Sequence, residues 1–150
     1  MSAAATLSKP SVTLNRRYNA SPERVFAAWT QPAEIVRWFG ASDAKADSIK
    51  AIADVRTGGR FSFSFIHGSG EHFEVSGIYK EVVPNEKLVF SWAWHSTPER
   101  ESQVTVLTKP DGTGTLLTLK HEQLFDQAAA DNHKRGWTGM LENIATWLDR

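Results

Sequence analysis

Histidines are the side chains of this sequence best suited to proton transfer near neutral pH. His121 falls on the inward face of a predicted strand, and His133 lies one helical turn before Trp137. A pair of this kind can orient a polar ligand group or move a proton. The alternative is a structural role, in which hydrogen bonds inside the core satisfy each ring. His72 and His95 are expected at the surface or rim.

Other patterns that would indicate catalysis or metal binding do not occur in the sequence. It contains no cysteine and no HExxH motif, and no histidine has a carboxylate at metal-ligand spacing. Ser62 and Ser64 lack the GxSxG elbow of a serine hydrolase. Gly58 and Gly59 form a turn without the lysine and serine of a phosphate-binding loop. We therefore predict no metal and no cofactor.

The charged residues Arg16, Arg60 and Glu74 fall within predicted strands. A charge in a strand must face solvent or find a partner. One of them could bind a ligand carboxylate at the mouth of a cavity. The default interpretation is that all three point outward into water.

Composition limits the classes of partner. Lysine plus arginine and aspartate plus glutamate number 17 each, so the net charge is zero and no basic run indicates nucleic-acid binding. The absence of cysteine fits a reducing, cytoplasmic compartment. No segment approaches the about 20 apolar residues of a membrane span, and the first residues lack a signal-peptide core. We predict a disordered tail over 1–10 and one domain over 11–150.

Hydrophobic periodicity predicts seven strands, two short helices and one long helix. The strands are expected at 11–18, 48–55, 60–66, 71–83, 88–94, 102–109 and 115–122. Ser21 and Pro22 start the first helix, which follows the first strand, and Pro32 starts the second, which Gly40 ends. Gly77, inside the fourth strand, indicates a bulge or bend that curves the sheet.

The final helix is predicted over 131–150. Its apolar residues recur at helical spacing: Trp137, Met140, Leu141, Ile144 and Leu148. A long amphipathic helix is only marginally stable alone and must lie on another surface. Gly136 and Gly139 are unusual in a helix, and close approach to the sheet or space for a ligand would explain them. The alternative is simple fraying near the start of the helix.

A curved sheet wrapped around this helix would bury both apolar faces and leave room for a small molecule. The predicted cavity residues of the sheet are Phe61, Phe63, Phe65, Phe90, Trp92, Trp94, Val104, Val106, Leu117, Leu119 and His121. Those of the helices are Trp38, Phe39, His133, Trp137, Met140, Leu141 and Ile144. The alternative is that these side chains fill a dense core without a usable void.

Five segments carry a resemblance to a known family. They are NASPERVFAAWTQPAEIVRWFG, DVRTGGRFSF, GIYKEVVPNEKLVFSW, SQVTVLTKPDGTGTLLTLKHEQL and GWTGMLENIATWL. Their order, β-αα-β₆-α, resembles the helix-grip fold of the START-like, or SRPBCC, superfamily. The segments resemble its branch named for the activator of heat-shock protein 90 ATPase. The resemblance spans about Val12 to Leu148 and implies an α+β fold.

The resemblance also implies a function. In this superfamily the cavity between the sheet and the last helix receives lipids, hormones, polyketides or other apolar ligands, and some members are enzymes. We therefore expect a protein, monomer or homodimer, that binds a small apolar or aromatic molecule. One alternative is a co-chaperone-like interaction module, although the named co-chaperones carry a further N-terminal domain that we expect this chain to lack. Another is a cyclase or hydrolase that uses His121 or His133.

Overall fold

The computed structural model describes residues 9–40 and 44–149. In this part of the chain the strands are β1 (Val12–Tyr18), β2 (Lys50–Ala53), β3 (Arg60–Ile66), β4 (His72–Val83), β5 (Lys87–Trp94), β6 (Ser102–Asp111) and β7 (Gly114–Glu122). The α-helices are α1 (Pro22–Thr30), α2 (Pro32–Trp38) and α3 (Gln127–Leu148). A 3₁₀ turn, Ala46–Ser48, precedes β2.

The strands form one antiparallel sheet in the order β1-β7-β6-β5-β4-β3-β2. From β2 to β7 each strand pairs with its successor in the chain, and β1 closes the order beside β7. The sheet curves around the long last helix. The predicted fold class, an α+β helix-grip fold with element order β-αα-β₆-α, is therefore confirmed.

The second strand is shorter than the predicted 48–55. Ser48 belongs to the preceding turn, where its Oγ donates to Lys45 O and accepts a hydrogen bond from Ile66 N at 2.9 Å. After the strand, Asp54 N still donates to Arg60 O, and the chain then turns. These turn contacts limit regular pairing to Lys50–Ala53.

The bulge in β4 lies close to the predicted position but not at Gly77. The register with β5 shifts between Tyr79 and Glu81, so Lys80 is the extra residue. Gly77 serves a different purpose: a Cβ there would lie 2.0 Å from the carbonyl oxygen of Ser91. Beside it, Ile78 N donates to Ser91 Oγ at 2.9 Å. The glycine therefore permits close backbone approach between the two strands.

The two short helices begin where the sequence predicts. Ser21 Oγ accepts a hydrogen bond from Arg24 N at 3.2 Å and caps α1, with proline at the first helical position. Phe39 is the C-cap of α2, and Gly40 follows with φ +107°. Trp38 Nε1 donates to Ala28 O at 2.7 Å and ties the two helices together.

The last helix begins at Gln127, earlier than the predicted Asp131. Asp126 is its N-cap and accepts a hydrogen bond from Ala129 N at 2.8 Å, so the alanines of the predicted connection are helical. The predicted end at Arg150 lies outside the described residues. So do residues 1–8 of the predicted tail, whereas Pro10 O accepts a hydrogen bond from Leu124 N at 3.1 Å.

The main core lies between the inner face of the sheet and the three helices. Trp29 of α1 stacks on Trp137 of α3, with ring centroids 5.7 Å apart. Tyr18 OH donates to Leu141 O at 2.9 Å and fixes β1 to the same helix. These contacts fix α3 to α1 and to β1.

Candidate functional site

Helix α3 presents two different stripes to the rest of the protein. The core stripe is Ala130, Trp137, Leu141 and Ile144, all buried. The second stripe is Asn132, Gly136, Gly139, Met140 and Asn143, which follows the helical repeat but faces an open cleft. One helix therefore both completes the core and forms one wall of a cavity.

The cleft has a volume of about 700 Å³, a typical size for a ligand pocket. Phe39, Phe65, Phe73 and Trp94 form its opposite side, which we call the aromatic wall. Phe65 and Phe73 stack with ring centroids 5.2 Å apart, Phe39 meets Phe65 edge-on at 5.8 Å, and Trp94 meets Phe73 edge-on at 6.4 Å. His67, Ser96, Thr97 and Arg135 add polar atoms at the margin.

Gly136 and Gly139 give the helix side of the cleft its shape. A Cβ at either position would meet no atom within 4 Å. Close approach to the sheet, one of the three predicted explanations, is therefore wrong. The pair leaves the helix backbone bare and widens the cleft, and we call it the glycine notch.

A smaller compartment of about 180 Å³ adjoins the cleft on the core side. It shares Trp94, Asn132, His133, Gly136 and Met140 with the cleft and adds Trp92 and Trp137. These indole rings come from β5 and α3, with their centroids 5.1 Å apart. The cleft thus deepens toward the centre of the aromatic core.

His133 holds Trp94 in place on the cleft side. Its Nδ1 lies 2.8 Å from Ala129 O and donates to it, so Nε2 is free of hydrogen and accepts from Trp94 Nε1 at 3.1 Å. Burial lowers the pKa of His133, because the imidazolium ion would lose its hydration. The ring is therefore a neutral support for the aromatic wall.

His121 lies deeper and is completely buried. Its Nδ1 accepts a hydrogen bond from Trp137 Nε1 at 3.0 Å, so Nε2 carries the proton and donates to Ser102 Oγ at 2.7 Å. Ser102 Oγ donates in turn to Trp92 O at 3.2 Å. Burial and the neighbouring His133 lower the pKa of His121 to about 3. The chain of bonds satisfies the ring without a ligand.

The two histidines are neighbours, as their strand parity and helical position predict. Their ring centroids lie 4.8 Å apart in an edge-to-face arrangement. Both nitrogens of each ring are engaged, with indole N–H groups occupying one acceptor nitrogen apiece. Neither histidine therefore presents a free basic nitrogen to the cleft. Both rings instead shape the site by holding the tryptophan side chains that donate to them.

The residues predicted from sequence divide between the cleft and the core. Phe39, Phe65, Trp94, His133 and Met140 line the cleft, and Trp92 and Trp137 line the inner compartment. The others lie in the core instead: Trp38, Phe61, Phe63, Phe90, Val104, Val106, Leu117, Leu119, His121, Leu141 and Ile144. Helices α1 and α2 and the core stripe of α3 pack against this part of the sheet, and the packing buries these residues.

Sequence reasoning missed the polar and glycine side of the cleft. The residues not predicted are Gly40, His67, Phe73, Ser96, Thr97, Asn132, Arg135 and Asn143, with the two glycines noted but not assigned. A second stripe at helical spacing that includes two glycines is the signal that would have found the α3 members. Phe73 could be placed only from its pairing with Phe65.

The charged strand residues lie away from the cleft. Arg16 donates twice to Glu142, at 2.9 and 3.2 Å, along the outer side of α3. Glu74 accepts from Ser62 Oγ at 2.7 Å and faces His95 at 3.5 Å. Arg60 is exposed and is not among the cleft residues. The arginine at the cleft margin is Arg135.

Residues 9–40 and 44–149 form the described part of the chain. This part of the chain contains no group of three or more histidine and carboxylate side chains arranged to hold a metal ion. None of its helices combines the length and apolar character needed to span a membrane.

Known proteins share this architecture. No curated protein matches the sequence at a significant level. Among solved structures, the protein CV1439 from Chromobacterium violaceum is 23% identical with a TM-score of 0.81, covering 93% of this chain and 97% of its own. The AHSA1 protein from Silicibacter pomeroyi is 27% identical with a TM-score of 0.77, covering 93% and 98%. The Mll3558 protein from Rhizobium loti is 31% identical with a TM-score of 0.76, covering 91% and 95%.

A family model agrees with these structural neighbours. The model described as "Activator of Hsp90 ATPase homolog 1-like protein" matches residues 19–149, from the end of β1 through α3. This range includes every element that lines the cleft. The chain therefore belongs to the activator of Hsp90 ATPase homolog 1-like protein family, within the SRPBCC group of helix-grip proteins.

Proposed function

We propose that this protein binds a small, mostly apolar and aromatic molecule in the cleft between α3 and the β3–β5 part of the sheet. The observation that supports this function is the pairing of the aromatic wall with the glycine notch across a volume of about 700 Å³. A ring placed there would contact aromatic side chains on one side and bare helix backbone on the other.

Burial of apolar surface supplies the affinity in this mechanism. Each 100 Å² of ligand surface removed from water contributes roughly 2.5 kcal/mol. Association opposes this with about 4 kcal/mol or more of lost translational and rotational freedom. A flat ligand of two or three rings can exceed that cost because both of its faces are covered. A single small ring buries too little surface to bind well.

Polar atoms at the margin orient the ligand. Asn143 Nδ2 donates to Trp38 O at 3.2 Å, which leaves the amide oxygen to accept from a ligand hydroxyl. Ser96 and Thr97 lie on the opposite margin and add hydroxyl groups. Because Trp94 is held by His133, the aromatic wall is formed before the ligand arrives. A preorganised wall lowers the entropic cost of binding.

Titration with two- and three-ring aromatic compounds tests this function, followed by tryptophan fluorescence and by amide and indole NMR shifts. We expect the largest shifts at Phe73, Trp94, Gly136 and Gly139. Shifts scattered over the surface, or confined to the outer face of the sheet, would contradict the proposal.

A pair of variants separates the cleft from the rest of the helix. Gly139→Leu projects an isobutyl group into open space and should reduce affinity more than about tenfold, since it occupies the ligand volume. Thr138→Leu places the same side chain at the neighbouring position, which is exposed and does not line the cleft. It should bind as the unmodified protein does.

A further inference from the structure

The cleft has an uneven distribution of charge. Among the described residues that line it there is no aspartate or glutamate, whereas the guanidinium group of Arg135 lies at its margin. On the same helix, Asp131 lies one turn before Arg135, and its Oδ1 accepts from Gln127 Nε2 at 3.0 Å. Glu71 and Glu74 line a separate hollow beside Phe73 and Trp94. The cleft itself therefore favours a ligand that is neutral or negative.

Arg135 differs from most described arginines in its partner. Five arginines form ion pairs with carboxylates: Arg16, Arg17, Arg24, Arg56 and Arg100. Arg135 instead donates to the neutral amide oxygen of Asn132, three residues earlier on the same helix. This bond restrains the guanidinium group beside the cleft without neutralising its charge. Its remaining N–H groups form a planar fork that suits a carboxylate.

Asn132 adds donors at the same place. Since its Oδ1 accepts from Arg135, its side-chain NH₂ group keeps both hydrogens for another acceptor. Asn132 also lines both the cleft and the inner compartment. The amide and the guanidinium group thus provide adjacent hydrogen-bond donors where the polar margin meets the apolar interior.

The apolar surfaces restrict the shape of the rest of the ligand. The aromatic wall and the glycine notch face each other, and the notch has no side chain to interrupt a flat surface. Arg135 lies one turn before Gly139 along the helix. A group attached directly to a planar ring in this space is therefore close to the guanidinium fork.

We propose that the cleft prefers planar aromatic carboxylates, with the rings between the aromatic wall and the glycine notch and the carboxylate on Arg135 and Asn132. This inference rests on the proposed function and adds the charge of the ligand to it. Arg135 is exposed, so its effect is a selectivity of about fivefold at low ionic strength rather than an absolute requirement.

Matched acid and amide ligands test the inference: 2-naphthoate against 2-naphthamide, and the same pair on an anthracene ring. Dissociation constants are measured by fluorescence titration and calorimetry at low and high salt. The carboxylates should bind about fivefold more tightly at low salt, and the difference should shrink at high salt because the paired charges are screened. The paired amides keep the same rings and a carbonyl acceptor but carry no charge, so the difference within each pair reports the effect of the ligand charge.

Two charge variants locate the effect. Arg135→Gln should weaken binding of the acid far more than binding of the amide and bring the two affinities together, because only the acid carries a charge that pairs with the guanidinium group. Lys134→Gln makes the same change in net charge at the neighbouring exposed position outside the cleft, and should leave the preference intact. Agreement between the two variants would mean that the preference reflects overall charge and would overturn the inference.

The outcomes distinguish this inference from the function it rests on. Equal affinity of acid and amide in the unmodified protein, or a preference that survives in Arg135→Gln, overturns the carboxylate assignment while aromatic binding stands. If neither acids nor amides bind with shifts at the cleft residues, both proposals fail.

Discussion

The indole Nε1–H of Trp137 donates to Nδ1 of His121 at 3.0 Å in the centre of the core. This bond fixes the histidine as the neutral tautomer, because an imidazolium ion would direct a second hydrogen at the indole. Ser102 receives the remaining ring hydrogen. A group that could titrate near neutral pH is thereby held uncharged at the junction of sheet and helix.

Stability should consequently fall in acid. The pKa of His121 is about 3 in the folded protein, against an ordinary value of 6.5. Above pH 6.5 neither state binds this proton. As the pH falls from about 6.5 to about 3, the unfolded chain takes up a proton that the folded protein refuses, and the free energy of unfolding decreases by about 1.4 kcal/mol per pH unit from this group.

Urea unfolding at pH 7, 6 and 5 measures this slope. His121→Gln should be less stable at pH 7 but should lose stability more slowly in acid than the unmodified protein. His72→Gln, at an exposed position, controls for removal of a histidine as such. An identical slope in His121→Gln and the unmodified protein would exclude this histidine as the source.

The second indole–histidine bond makes a separate prediction. Trp94→Phe keeps an aromatic ring on the wall but removes the N–H group that reaches His133 Nε2 at 3.1 Å. Since that N–H group favours the neutral ring, the pKa of His133 should rise in the variant, although burial still lowers it.

An NMR titration of the His133 ring nitrogens measures the change. Trp147→Phe is the matched control, because its indole donates to Glu34 at 2.8 Å on the other side of α3. A lower or unchanged pKa in Trp94→Phe would mean that the indole bond has no part in keeping His133 neutral.

Local sequence patterns were sufficient to predict the fold because the pattern of each element follows from one physical requirement. Phe61, Phe63 and Phe65 alternate with serines in β3, so a single face must be buried. Ser21 and Pro22 satisfy the opening of α1 without any tertiary contact. The start of α3 was misplaced because Asp126 precedes alanines, which carry no periodic signal and fit a connection as well as a helix.

The site was harder to predict because core and cavity residues obey the same pattern. Phe61 and Phe65 point to the same face of β3, yet only Phe65 lines the cleft, where the helices leave the sheet uncovered. Which part stays open depends on how α2 and α3 lie across the sheet. In the sequence, Arg135 and Asn143 look like ordinary exposed helix residues. The amphipathic pattern identifies the one buried stripe of the helix, but it does not identify a second stripe that is only partly covered.

Gly77 should be intolerant of substitution for a reason that only the sheet pairing shows. A Cβ would lie 2.0 Å from Ser91 O and 2.8 Å from a ring carbon of Phe61. Because the first of these is backbone in the adjacent strand, relief requires the strands to separate. We expect Gly77→Ala to lower the free energy of unfolding by more than about 2 kcal/mol, as overpacking does in tight sites.

Chemical denaturation measures this cost, with Ser76→Ala as the control in the preceding residue. Serine is replaced there by a smaller side chain, and only its hydrogen bond with His95 is lost, so a change below about 1 kcal/mol is expected. A Gly77→Ala variant as stable as Ser76→Ala would show that the close approach to Ser91 is not a constraint.

Alanine at both positions of the glycine notch should make the protein more stable and weaken ligand binding. Gly136 and Gly139 lie inside α3 with open space beyond each Cα, so alanine at both positions meets no clash. Helix propensity then raises the free energy of unfolding by about 1 kcal/mol per position at most. The two methyl groups enter the cleft, so aromatic ligands should bind more weakly in the same variant.

Denaturation and ligand titration on one preparation measure both effects. The control is Thr138→Ala, outside the cleft, which should stabilise the helix slightly without changing affinity. A double alanine variant that is less stable than the unmodified protein would contradict the open space beside the two glycines, and one that binds aromatic ligands as tightly would remove the notch from the binding site.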